Sequence, residues 1–224
     1  MVENSVEERE NKIKKELERA RPAIVVSCSD GILLATLNNL RKPKIKQVSG
    51  PTAFIGVGIW SDFNKLWEFA SASLIAHRFV NASERDFTIL DKIIETLCRE
   101  IRQKFCNLYS ADYYQCELIL AFLGEDKSND RFYSIDCAGI EGSSSSFFMI
   151  PTVNAVTPPG LSVLNNSTTM QAALRTVADV MEEELRANHG ALEVSVLSRD
   201  VLLGGKPEET YHKLTSEEIQ NWLS

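Results

Sequence analysis

The sequence predicts a layered α+β domain with helices on both outer faces, and three features carry that prediction. Short apolar, β-branched runs at 23–27 and 32–36 flank Ser29-Asp30-Gly31, and an Asp-Gly turn between such runs is a strong hairpin signal. Two long helical patterns follow, at 62–80 and 86–109, and strand-like runs then return at 117–123, 131–138 and 145–150. Strands grouped by hairpin links, before and between helical pairs, suggest separate layers of sheet and helix.

The chain's 224 residues, 44% hydrophobic and 25% charged, suffice for one well-filled core and argue against a disordered chain. A formal charge of -7 does not advertise the basic face that phosphate neutralisation needs, so nucleic acid is not expected as the main partner. Cys28, Cys98, Cys106, Cys116 and Cys137 are scattered and odd in number. That usage fits free thiols in a reducing compartment, and no pair has zinc-knuckle spacing. No apolar run approaches the roughly 20 residues that span a bilayer, and the N-terminus is rich in Glu and Lys, unlike a signal peptide. A cytoplasmic protein without membrane partners or cofactors is expected.

Residues 1–21 differ from the remainder, 22–224, which reads as one domain. Within 6–20 nearly every residue is charged, yet Val6, Ile13, Leu17 and Ala20 recur on one narrow stripe. Pro22 ends this helix, because the residue before a proline is pushed out of the helical region. The simplest reading is a charged surface helix lying on its own domain, although a narrow stripe equally suits a neighbouring subunit. Residues 1–5 carry nothing to anchor them.

After the hairpin, the run 53–59 carries Gly56 and Gly58, where close backbone packing is expected. In the first long helix Phe63, Leu66, Trp67, Ala70, Leu74 and His77 share a face; in the second, Ile89, Ile93, Leu97, Ile101 and Phe105 repeat every four residues. The short link at 81–85 makes them antiparallel neighbours. Pro151, Pro158, Pro159 and Gly160 break the next segment into loop. Thr168 and Gln171 form a capping-box pair before a helix running to Ala187, and 191–197 reads as strand. Thr215 and Glu218 open a last helix with Ile219, Trp222 and Leu223 on its apolar side.

Catalytic constellations are scarce. His77 lies on an apolar helix face, His189 at a helix C-terminus and His212 in a charged segment, and nothing pairs any of them with a nucleophile. Gly56-x-Gly58 lacks the third glycine of a dinucleotide cradle and meets Trp60 and Asp62 instead, so tight packing with Asp62 as a cap is the better reading. Cys28 and Ser29 lack an adjacent base, which leaves Cys28 as a small hydrophobe in a strand.

Taken in order, several segments resemble the proteasome family within the N-terminal-nucleophile hydrolase fold, and specifically its bacterial α-type subunits. They are Glu18-Arg19-Ala20-Arg21 before Ala23-Ile24-Val25-Val26, the Asp30-Gly31-Ile32-Leu33-Leu34 return, Lys44-Ile45, and Ile55-Gly56-Val57-Gly58 leading to Asp62-Phe63-Asn64-Lys65-Leu66. Further on come Glu117-Leu118-Ile119-Leu120-Ala121, Leu192-Glu193-Val194-Ser195-Val196-Leu197 and Leu214-Thr215 before the last helix. No single motif decides the match; order and spacing over nearly the whole chain carry it.

The resemblance implies a four-layer α-β-β-α sandwich, assembled as identical subunits into seven-membered rings. Active β-type subunits expose an N-terminal threonine; here the corresponding strand begins Pro22-Ala23-Ile24 behind a helix, so no nucleophile is implied. Lys44 matches the family lysine that, in α-type subunits, faces the pocket receiving the C-terminal carboxylate of an ATPase activator. Without the resemblance it is a surface lysine in a basic run, and Lys42 and Lys46 stand as substitutes. Met1, Val2, Glu3, Asn4, Ser5, Val6, Glu7 and Glu8 are implied to form a gate over the pore through which unfolded protein substrates pass to a ring of β-type subunits. One departure is Pro151 directly after the strand 147–150, where related subunits introduce a helix with a glycine pair; a shortened or remodelled third helix is expected. The competing function is a divergent self-processing peptidase that frees Ser27, Cys28 or Ser29.

Overall fold

The computed structural model describes residues 5–38, 42–80, 86–110, 112–144, 146–150, 161, 164, 167–188 and 191–224. The elements run α1 (Val6–Leu17), β1 (Ala23–Ser27), β2 (Gly31–Asn38), β3 (Ile45–Ser49), β4 (Thr52–Gly58), α2 (Trp60–Val80), α3 (Asp86–Cys106), β5 (Cys116–Phe122), β6 (Arg131–Ile135), β7 (Glu141–Ser144), β8 (Phe147–Ile150), α4 (Met170–Asn188), β9 (Ala191–Ser198), α5 (Arg199–Leu203), β10 (Tyr211–Lys213) and α6 (Ser216–Leu223). They form an α+β fold with two five-stranded sheets, ordered β10-β9-β2-β1-β8 and β3-β4-β5-β6-β7, with every strand pairing antiparallel.

Period-two alternation sorts each strand's side chains between two clusters. In the first sheet Ile24, Val26, Leu33, Ala35, Leu37, Val194 and Val196 point to a core completed by Ala173, Leu174, Val177 and Met181 of α4 and Ile219 of α6. In the second, Phe54, Leu118, Leu120 and Phe122 meet Phe63, Leu66 and Ala70 of α2 and Ile93, Leu97 and Ile101 of α3. The opposite faces supply a third cluster: Ala23, Val25, Ile32 and Leu34 from the first sheet with Ala53, Ile55, Val57, Ile119, Ala121 and Phe132 from the second. Near-continuous apolar runs such as 32–35 are thus strands buried on both faces.

The helix α1 packs on its own domain, with one change from the expected stripe. Its buried residues are Arg9, Ile13 and Leu17, four apart, while Val6 remains 38% exposed. Polar bonds tie the ends of the sandwich. Ser27 donates to Asp130 Oδ2 at 2.6 Å, and Arg199 meets the same carboxylate at 2.9 and 3.2 Å while also donating to the Gly124 and Cys28 carbonyls. This buried set links the β1–β2 turn to the entry of β6.

Local details refine the reading. Gly56 and Gly58 serve close packing: a Cβ on Gly56 would lie 2.4 Å from the Phe63 ring, and Gly58, at φ +100, would meet the Gln115 carbonyl at 2.4 Å. Asp62 does not cap α2; its carboxylate accepts from the Gln115 amide at 3.0 Å and so ties α2 to the entry of β5. The N-terminus of α4 is held one residue later than expected, by Thr169, together with Asp30, which accepts from the Met170 amide at 2.8 Å. Gln171 instead donates to the Trp222 carbonyl. Thr215 and Glu218 do form a reciprocal capping box. The helix α4 runs 19 residues. Pro151, Pro158, Pro159 and Gly160, on which the expected shortening or remodelling rests, lie outside the described residues. The strands β3, β7 and β10 were not marked by any apolar run, being short or polar.

Candidate functional site

A pocket of about 310 Å³ opens where α1, β2 and β4 end, lined by Glu16, Arg19, Ala20, Arg21, Leu37, Asn38, Lys44, Gly58 and Ile59. The end of α1 and the turn into β1 form one wall, the last residues of β2 another, and the exit of β4 the third. Lys44 enters from the residue preceding β3 and is half-buried.

The Lys44 backbone is held on both sides. Its amide donates to Glu193 Oε2 at 3.2 Å, and its carbonyl accepts from the Gly56 amide at 3.2 Å. Glu193, only 6% exposed, also accepts from the Ile45 amide at 3.4 Å, from Asn38 Nδ2 at 2.5 Å and from Lys213 Nζ at 3.1 Å. One buried carboxylate thereby bridges β9 of the first sheet to the entrance of β3 in the second. Burial and the nearby Arg21 push the Lys44 ammonium below its usual range, partly opposed by Glu193. A lysine in this state gains from any anion entering the pocket, because an anion offsets both the desolvation and the repulsion.

Lys42 and Lys46 take other positions. Lys42 lies 4.5 Å above the Trp60 ring, while Lys46 bonds Asn64 Oδ1 and lies 4.0 Å above Trp67. Neither lines the pocket. Of the N-terminal residues, Met1, Val2, Glu3 and Asn4 lie outside the described residues. Ser5 is the N-cap of α1, its side chain accepting from the Glu8 amide at 3.1 Å. Val6, Glu7 and Glu8, assigned to the gate segment by the resemblance, form the first turn of α1.

No catalytic pair assembles among the described residues. Cys28 is fully buried, and its thiol is pushed up to about 12, chiefly by burial. Ser27 is committed to Asp130, and Ser29 donates to the Thr168 carbonyl. His212 sits 3.0 Å from Glu218, on the surface; His77 is half-buried on α2, and His189 lies outside the described residues. No group of His, Cys, Asp and Glu suited to a metal ion occurs among the described residues, nor does a helix long and apolar enough to cross a membrane.

No family model matches the sequence. Curated relatives match it along nearly its whole length. The proteasome subunit alpha of Paenarthrobacter aurescens is 25% identical over 234 residues, covering 99% of this chain and 95% of the relative. That of Thermomonospora curvata is 24% identical over 230 residues, covering 100% and 95%, and that of Renibacterium salmoninarum 22% identical, covering 99% and 93%. The chain is similar to proteasome α subunits from end to end. The similarity to the α-type subunit extends through α1, the helix that stands ahead of β1 and whose C-terminal turn lines the Lys44 pocket.

Sequence reasoning missed Glu193, which fastens the Lys44 backbone, and Arg21, which lines the pocket. Glu193 sits among Leu192, Val194 and Val196, and its place on the opposite, inward-facing side of that strand was the available signal for a buried, partnered charge. Arg21 carried no signal of its own, since it meets Lys44 only where the link from α1 to β1 and the chain entering β3 line one pocket.

Proposed function

We propose that the chain is a non-catalytic α-type subunit of a bacterial proteasome core particle. It forms an outer ring of identical subunits, restricts entry with its N-terminal residues, docks an ATPase activator and supports a proteolytic β ring that degrades unfolded protein. Its two sheets, with clusters beneath α2/α3, between the sheets and beneath α4/α6, fit the four-layer α-β-β-α sandwich of N-terminal-nucleophile hydrolases. The observation that carries the reading is Lys44: a half-buried cation in a pocket beside Arg21, with its backbone fastened by Glu193 and Gly56. Such a pocket suits the chain-terminal carboxylate of an activator.

The helix α1 stands where an active β-type subunit would begin with its nucleophile, and the Cys28 thiol is buried and protonated. Both favour a structural and gating role over self-processing. Co-expression with a β-type subunit, followed by sizing, intact mass and peptidase assay, tests the proposal. A high-mass particle containing the uncleaved chain, with activity dependent on the β nucleophile, is the expected result. A chain cleaved before Ser27, Cys28 or Ser29, hydrolysing peptides by itself, would overturn it in favour of a peptidase.

A further inference from the structure

The residues that line the Lys44 pocket are short of negative charge. They include three cations, Arg19, Arg21 and Lys44, against one carboxylate, Glu16. Glu193, behind Lys44, already accepts from two backbone amides and from Asn38 and Lys213. The three cations are not equivalent. Arg19 is exposed, where water screens its charge, whereas Arg21 and Lys44 are half-buried. Burial first and the charge of Arg21 second disfavour the Lys44 ammonium, so the two cations lie within reach of each other's field.

Two like charges at one cavity repel, and a loose chain would let them separate. Neither backbone is loose here. Lys44 is fastened by Glu193 and Gly56. Arg21 lies between Ala20, whose amide donates to the Leu17 carbonyl at 2.9 Å, and Pro22, whose carbonyl accepts from the Thr36 hydroxyl at 3.0 Å. The proline ring fixes the chain further. The fold thus holds both cations at one cavity against their repulsion, and an anion entering the cavity relieves it. Binding is strengthened because the charges are gathered before the ligand arrives. A guanidinium offers a carboxylate two parallel donors and an ammonium offers a point charge, so the pair suits both oxygens of one carboxylate.

We propose that Arg21 is a second carboxylate-binding residue of the Lys44 pocket, and that the pair selects a free carboxylate terminus over a neutral, amidated one. This rests on the docking role proposed above. It adds a specificity-determining residue from the link between α1 and β1, remote in sequence from the strand that Lys44 precedes.

The test uses the purified full chain and a pool of acetylated tetrapeptides, randomised at the last two positions and made with either free or amidated C-termini. Reductive methylation of Lys44, read by peptide mass spectrometry, reports how much of each pool protects its amine. In the wild-type protein the free-carboxylate pool should protect Lys44 and the amide pool should not. Arg21→Met should raise the half-protecting concentration of the free pool roughly tenfold. Arg21→Lys, which keeps the charge without the planar fork, should raise it less. Arg19→Met should change it by less than about twofold, because that charge is screened. No protection, or equal protection by both pools, in the wild-type protein would sink the carboxylate-docking reading itself. Unchanged protection in Arg21→Met, with the wild-type pocket still favouring the free pool, would leave that reading standing and overturn the assignment to Arg21. An equal loss in Arg19→Met would overturn it too. If Arg21→Met does not fold, Arg21→Gln replaces it under the same criteria, and failure of both would overturn the proposal by making Arg21 a residue needed for folding.

Discussion

Glu193, on β9 of the first sheet, accepts a hydrogen bond from the backbone amide of Lys44 at the entrance to β3 of the second, at 3.2 Å. The same carboxylate takes the Ile45 amide and the side chains of Asn38 and Lys213. The lysine that lines the pocket is therefore positioned through its main chain.

Replacing Lys44 with Ala should leave assembly intact and weaken binding of an activator's C-terminal peptide. A charge-assisted contact is worth about 1.5–3 kcal/mol, so affinity should drop by roughly ten- to a hundredfold per site. Lys42→Ala and Lys46→Ala, which alter residues stacked on Trp60 and Trp67, serve as controls and should bind normally. Burial and Arg21 lower the Lys44 pKa, so its charge disappears earlier than that of an exposed lysine as pH rises. Affinity should accordingly begin to decline below pH 10.5 in the native protein. Isothermal titration across pH measures both effects; equal affinity for Lys44→Ala refutes the docking assignment.

The Asp130–Arg199 pair should be a strong point of stability when broken on one side. Their side chains are 0% and 7% exposed. Removing one partner from a buried ion pair costs about 3–5 kcal/mol, because the other charge is left uncompensated. Arg199→Met and Asp130→Ala should therefore lower the denaturation midpoint far more than Ser27→Ala, which removes a single hydrogen bond to the same carboxylate. Denaturant titration of the three variants makes the comparison.

Acid should loosen α6 locally. The Thr215 amide, His212 and the Thr215 hydroxyl hold the Glu218 carboxyl at about 2, against its ordinary 4.5. Because the folded value is depressed, the stabilisation is complete above pH 4.5 and lost as pH falls toward 2. Amide exchange in α6 should quicken across that window, and Glu218→Gln should flatten the dependence. An unchanged pH profile in Glu218→Gln would show that another group controls this helix.

Thiol chemistry should separate Cys106 from Cys28. Cys106 is exposed, whereas the Cys28 thiol is buried and pushed up to about 12. Brief alkylation of native protein near neutral pH, read by peptide mass spectrometry, should label Cys106 and spare Cys28. Rapid labelling of Cys28 would restore it as a candidate nucleophile.

Local patterns were enough to establish much of this protein. The apolar periods of α2, α3 and α4, the Asp30-Gly31 turn and the Thr215–Glu218 box each depend on neighbours a few residues apart, so period and turn chemistry reveal them. Those periods also imply helices covering sheets, and the order of segments carried the likeness to α-type subunits. Tertiary structure decided what distance in sequence hides. Arg9 reads as one more charge on a solvated helix until α1 lies across the end of α3, where unpaired carbonyls make burial of a guanidinium favourable. Strands β3, β7 and β10 exist because partner strands supply their hydrogen bonds, not because their own residues are apolar. Among Lys42, Lys44 and Lys46 composition offers no choice. The extended chain entering β3, fastened by Glu193, turns only Lys44 into the pocket, because aromatic rings of α2 hold the other two ammonium groups elsewhere.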